Sequence, residues 1–149
     1  MAANGKIAGV THLTSIGIHA PAARAWEVLS NVQSRVAWLP TVERVEALDE
    51  WPLAVGRRYR VLQPKLRPAV WEVTALEPGK RFTWRASSTG MVMIADHLIE
   101  PTGPDTSRMQ SRYDFSGWLG ALMRVIFGRL TRSYLGQEAR ALKRRAESG

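Results

Sequence analysis

Between residues 117 and 147, apolar side chains return at helical spacing: Trp118, Leu119, Leu122, Val125, Ile126, Leu130, Tyr134, Leu135, Ala139 and Leu142. Arg124, Arg132, Arg140, Lys143 and Arg144 occupy the other side, so the pattern predicts one long amphipathic helix. Upstream the period changes to two. Trp71, Val73 and Ala75 alternate with Glu72 and Thr74; Phe82 and Trp84 alternate with Arg81, Thr83 and Arg85. Met109, Tyr113 and Phe115 alternate with Arg108, Arg112 and Asp114. Strands are therefore expected over 10–19, 42–48, 57–63, 69–76, 81–86, 91–100 and 106–115. Pro21 suits the first turn of a short helix over 22–29, and a further helical turn is expected over 33–38, ahead of Pro40. Turns fall at Trp51, Pro52 and Gly56, and over 64–68, 77–80, 87–90 and 101–105. One long helix burying a face against a curved antiparallel sheet makes a container, of α+β class.

Composition narrows what the container can do. The 149 residues (1–149) fit a single domain that can bury a core unaided. With no cysteine, disulfides and thiolate chemistry are excluded. No apolar run approaches a membrane span, and the opening MAANGKIAGV lacks the pattern of a signal peptide, which gives the cytoplasm as the expected location. The formal net charge of +8 would attract anionic surfaces, but the basic residues are not interleaved with aromatics as a single-strand platform requires. Nucleic acid is therefore not the expected partner. His12, His19 and His97 have neither the spacing nor the acidic neighbours of a metal site, and no phosphate loop or serine elbow is present. No metal and no cofactor is expected. The exposed strand at the sheet edge could pair with a second copy as a homodimer.

The order of elements and the local wording resemble the START-like (SRPBCC) helix-grip superfamily, in its polyketide cyclase/dehydrase branch. The residues that carry the resemblance are His19-Ala20-Pro21 followed by Trp26 and Leu29, the Trp38-Leu39-Pro40 element, and the runs from Gly56 to Lys65, Val70 to Thr74 and Glu77 to Trp84. The resemblance spans nearly the whole chain and implies a seven-stranded antiparallel sheet around the long helix, with a hydrophobic cavity between them. It implies binding of a hydrophobic small molecule (a lipid, an aromatic or a polyketide-like compound), since fold alone does not license a cyclase.

If the concave face of the sheet meets the helix, the two-residue period assigns the lining: Tyr59, Val61, Gln63, Trp71, Val73, Phe82, Trp84, Met91, Met93, His97, Ile99, Met109, Ser111, Tyr113 and Phe115. Leu119, Leu122, Met123, Ile126 and Leu130 would oppose them from the helix. Six tryptophans and five methionines supply rigid and adaptable apolar surface for such a wall. Gln63, His97 and Tyr113, with Tyr59, are the polar groups expected to orient a ligand. The alternative function is a cyclase or dehydratase in which His97 moves a proton while Tyr113 polarises a carbonyl. Asp96 and Glu100 alternate with His97, so an Asp–His dyad is not expected.

Overall fold

The computed structural model describes residues 12–49 and 52–148. The expected strand residues Val10 and Thr11 and the turn residue Trp51 lie outside this range. Strand β1 (His12–Ile18) leads into α1 (Ala22–Ser30), a 3-10 turn (Val32–Ser34) and α2 (Arg35–Trp38). Strands β2 (Arg44–Ala47), β3 (Arg58–Leu62), β4 (Ala69–Glu77), β5 (Arg81–Ser88), β6 (Met91–Gly103) and β7 (Thr106–Ser116) follow, and α3 (Trp118–Glu147) closes the fold. All strand pairs are antiparallel, in the order β1-β7-β6-β5-β4-β3-β2. β1 and β2 thus lie on opposite edges, and α1 with α2 spans the sheet between them. This is the seven-stranded helix-grip architecture expected from the sequence.

The 30 residues of α3 run about 45 Å and cross the inner face of the sheet. Pro21 is extended, and its carbonyl accepts from Arg24 N and Ala25 N to start α1. The far end of α3 is tied down by charge-assisted bonds. Arg24 Nε and Nη2 donate to the carbonyls of Ala146 and Arg145, Lys143 Nζ donates to Gly17 O, and His19 N donates to the Glu147 carboxylate. Cations on the last carbonyls of a helix also offset its dipole. At the near end, Gly117 (φ +89°) turns the chain, and Leu119 N donates to Gly90 O at 2.8 Å. A Cβ on Gly117 would fall 2.5 Å from that same oxygen, so only glycine fits.

Several boundaries differ from expectation. β2 is shorter, and the hairpin turn expected over 101–105 shrinks to Pro104 and Asp105 because β6 continues through Pro101 with a register irregularity. A bulge between Val73 and Ala75 shifts the pairing: Val73 faces Trp84, but Leu76 faces Phe82 and Ala75 faces Thr83. Ala75 therefore leaves the face that holds Trp71 and Val73, and Leu76 takes its place.

The larger correction concerns α3. Its buried face is Gly120, Gly128, Leu135, Glu138, Ala139, Leu142 and Ala146, whereas Leu122 and Ile126 are 51% and 56% exposed. The first half of the helix is apolar on both sides. The inner side takes half-buried Leu119, Met123, Phe127 and Leu130 together with buried Gly120 and Gly128; a Cβ on Gly120 would fall 3.1 Å from the Phe115 backbone, so the helix and β7 approach closely there. Leu122 and Ile126 are turned to solvent and do not line the interior.

Candidate ligand site

Strand register stacks the inner-face residues in rows. Phe82, His97 and Ser111 form one row; Trp84, Ala95 and Tyr113 form the next, and Ala86, Met93 and Phe115 the third. The rings in these rows touch. Phe82 stacks on His97 (centroids 4.5 Å apart, planes at 16°), and Trp84 meets Phe82, His97, Tyr59 and Trp71 at 5.4, 6.0, 6.3 and 5.4 Å. Trp71 also meets Tyr113 edge-on at 5.8 Å. Trp84 is thus the hub of an aromatic wall, most of it buried.

A charged cluster is set into this wall. Arg35, at the start of α2, is 4% exposed, and its Nη1 donates to Glu138 Oε2 on α3 at 2.9 Å. Its guanidinium lies over Trp84 at 5.2 Å and Phe82 at 6.0 Å, a cation–π arrangement in a desolvated setting. The other carboxylate oxygen of Glu138 is 3.7 Å from His97 Nε2. Burial pushes the His97 pKa down to about 4; the Glu138 carboxylate opposes this shift and the Arg35 cation adds to it. At neutral pH this imidazole is uncharged, so it can accept a proton but holds none to give as an imidazolium. Burial also lowers the pKa of Arg35, against the pull of Glu138. Tyr113 is shifted upward by burial and then by Glu138, so its phenol stays protonated; its hydroxyl contacts Met93 Sδ at 3.8 Å.

The cluster is incompletely satisfied. Arg35 Nε and Nη2, Tyr59 Oη and His97 Nδ1 are all sealed from solvent with no hydrogen-bond partner among the described residues. Each such atom costs on the order of 1–3 kcal/mol, and native interiors rarely leave several together.

The structure brings together most of the residues expected to line the interior. Tyr59, Trp71, Phe82, Trp84, His97, Met109 and Phe115 are buried on the inner face, and Met91, Met93 and Tyr113 are half-buried there. Ser111 donates to Met109 Sδ at 3.0 Å. Gln63 sits beyond the end of β3, half-buried in the turn that leads to Pro64. Leu122 and Ile126, as described, are outside. Asp96 points to the other face, as its alternation with His97 requires: Arg81 grips it through two bonds of 2.9 Å, and Thr83 donates to it at 2.7 Å.

Arg35 and Glu138 escape sequence reasoning. The readable signal is the position of Glu138, which interrupts the apolar series Leu135, Ala139, Leu142 on the buried side of the helix. A carboxylate there requires a cationic partner. Nothing local marks Arg35 as that partner, because the two are 103 residues apart.

A cleft of about 180 Å³ opens beside this site, between Trp26 and Ser30 of α1, Pro52 and Leu53, and Leu76 and Pro78 of the β4–β5 hairpin. Trp26 meets Phe82 edge-on at 6.3 Å, and Phe82 stacks on His97. Two rings therefore separate the cleft from the imidazole.

Comparison with known proteins agrees with this architecture. The family profile for polyketide cyclase / dehydrase and lipid transport matches residues 11–147. Among solved structures, the Zhui aromatase/cyclase from Streptomyces sp. R1128 superposes with a TM-score of 0.76 at 18% identity, covering 91% of this chain and 92% of that one. A START superfamily protein from Mycobacterium smegmatis gives 0.73 at 17% identity (92% and 97% covered). Norcoclaurine synthase from Thalictrum flavum, in complex with dopamine and hydroxybenzaldehyde, gives 0.67 at 15% identity (89% and 83% covered). No curated protein matches the chain in sequence. With a long helix gripped by a seven-stranded sheet and a family match over nearly its full length, the chain belongs to the polyketide cyclase / dehydrase and lipid transport family.

Proposed function

We propose that the space between the sheet and α3 binds a ring-bearing apolar small molecule, aromatic or polyketide-like, that carries at least one hydrogen-bond acceptor. The observation that carries this reading is the set of sealed, partnerless polar atoms on Arg35, Tyr59 and His97, three side chains that all surround the Trp84 ring. An acceptor oxygen on a ligand would satisfy the Arg35 and Tyr59 donors that the fold leaves idle, and a ligand hydroxyl could donate to His97 Nδ1. The rings of Trp71, Phe82 and Trp84 would stack on its apolar body, at about 25 cal/mol per Å² removed from water. The cleft beside Trp26 is the route in, with that indole as the movable element. The aromatase/cyclase and norcoclaurine synthase neighbours support an aromatic or polyketide-like ligand by fold likeness alone.

Native mass spectrometry of the purified protein, set against its denatured mass, tests this directly. An adduct lost on denaturation is the expected result. If the protein is apo, titration with 2-naphthoate, a planar ring bearing an acceptor, should give saturable binding that Arg35→Met weakens at least about tenfold, the worth of one charge-assisted bond. A wild-type protein without adduct that binds neither 2-naphthoate nor its amide overturns the reading.

An enzymatic variant of the same site is favoured by one feature, the uncharged His97 imidazole beside a carboxylate. His97 would take a proton from an acidic C–H of a bound poly-ketone, Glu138 would stabilise the resulting imidazolium, and the protonated Tyr113 would donate to the carbonyl oxygen on which charge develops. His97→Gln should then abolish turnover of a poly-ketone substrate while leaving binding within a fewfold. A pure binding protein would show no turnover to abolish.

A further inference from the structure

We infer that the outer face of α3 docks onto an anionic lipid bilayer surface. Trp118, Leu122, Val125 and Ile126 are 74%, 51%, 83% and 56% exposed. At 100° per residue these four fall within about 100° of arc, a single apolar stripe on the side away from the sheet. Trp118 is held in place: its indole lies against Gly90, where an added Cβ would come within 2.5 Å of the ring. A rigidly placed exposed tryptophan is the side chain best suited to the headgroup level of a bilayer.

Continuing along the same arc, the stripe changes chemistry from apolar to basic. Arg129, Arg140 and Arg144 occupy it, all exposed. α3 carries two acidic residues: Glu138 faces inward against Arg35, and Glu147 is engaged by Lys143 and His19. The face is therefore apolar from Trp118 to Ile126 and cationic from Arg129 onward, with almost no opposing charge. A helix lying in the interface plane has this composition: the apolar part enters the acyl boundary and the cations meet anionic headgroups.

Charge also argues against a second copy as the occupant. Two α3 helices laid side by side in parallel would oppose arginine to arginine, and antiparallel full-length pairing would set each apolar stretch, Trp118 to Ile126, against the arginines of the other copy. The remaining overlap, of the apolar stretches alone, rests on four side chains per chain. The inference is independent of what the interior binds, because it uses the opposite side of the helix.

The test is flotation of the whole protein with vesicles of phosphatidylcholine, alone or mixed with phosphatidylglycerol, at low and physiological salt. Flotation is expected only with phosphatidylglycerol and should weaken with salt. Leu122→Ser/Ile126→Ser and Arg129→Glu/Arg140→Glu should each reduce it at least about tenfold, the second by removing attraction and adding repulsion. All these sites are exposed, so thermal melts should be unchanged; Val125→Ser serves as the check should the serine pair melt early. No flotation with either vesicle, equal flotation with both, or flotation insensitive to these variants overturns the inference. So does a dimer in sedimentation velocity that Leu122→Ser/Ile126→Ser dissolves without any vesicle binding, which would give the face to a second copy.

Discussion

Arg35 and Glu138 are the residues whose loss should be felt most. Each is nearly sealed from water, and their 2.9 Å bond is what makes that burial tolerable. Removing one partner leaves an uncompensated buried charge, a loss of about 3–5 kcal/mol. Glu138→Leu alone should therefore melt far earlier than wild type, whereas Arg35→Met combined with Glu138→Leu should recover much of the difference in urea unfolding. His97 gives a pH signature with a definite sign. Its folded pKa of about 4 lies below the unfolded value near 6.5, so the unfolded chain binds the proton more readily. The stability this depression leaves intact is complete above pH about 6.5 and is lost as pH falls toward about 4, by roughly 3 kcal/mol over the window. Urea midpoints measured across that range should fall on acidification, and His97→Gln should flatten much of the fall. Some slope should remain, because burial and then Arg132 lower the pKa of His12 as well.

At the scale of elements, α3 is one helix with two different tasks along its length. Its second half buries Leu135, Ala139 and Leu142, while its first half exposes one apolar side. Leu142→Ala should cost about 2–5 kcal/mol through the cavity it leaves, while Leu122→Ala should stay within roughly 0.5 kcal/mol. Equal costs at the two positions in thermal melts would mean that the helix buries the side carrying Leu122 as well. The start of α3 depends on two glycines in contact. Gly117→Ala must hold a side chain at φ +89° and press its Cβ against Gly90 O, so a loss of about 1–3 kcal/mol is expected, with fraying of the first turn visible in amide exchange.

For the whole molecule, the sheet, α2 and α3 meet in one place. Arg35 comes from the crossover between the two edge strands, Glu138 from the last helix, and His97 from the middle of the sheet. A ligand that bridges them should stabilise the entire fold rather than one element. Under the proposed function, 2-naphthoate at about 100 times its Kd should add about 2.7 kcal/mol of unfolding free energy, and Arg35→Met should lose most of that increment. A ligand-dependent rise in Tm that persists in Arg35→Met would place binding elsewhere, for instance in the open cleft by Trp26.

Periodicity by itself determined the seven strands, the long last helix and most of the inner wall. The alternation of Phe82 with Thr83 and of Tyr113 with Arg112 is a local property, because the strand period is fixed by backbone geometry. The direction of Asp96, away from His97, was legible for the same reason. Tertiary structure alone decided three matters. An apolar pattern on both sides of the first half of α3 cannot say which side turns inward; the packing of Gly120 against the Phe115 backbone turns that side in, leaving Leu122 and Ile126 in solvent. A bulge has no sequence period, so the exchange of Ala75 for Leu76 on the inner face appears only in the pairing register. The Arg35–Glu138–His97 cluster joins residues from three distant elements, and burial rather than residue type lowers the imidazole pKa to about 4. Local spacing encodes which face a residue occupies; which residues share a dry interior depends on how the faces close over one another.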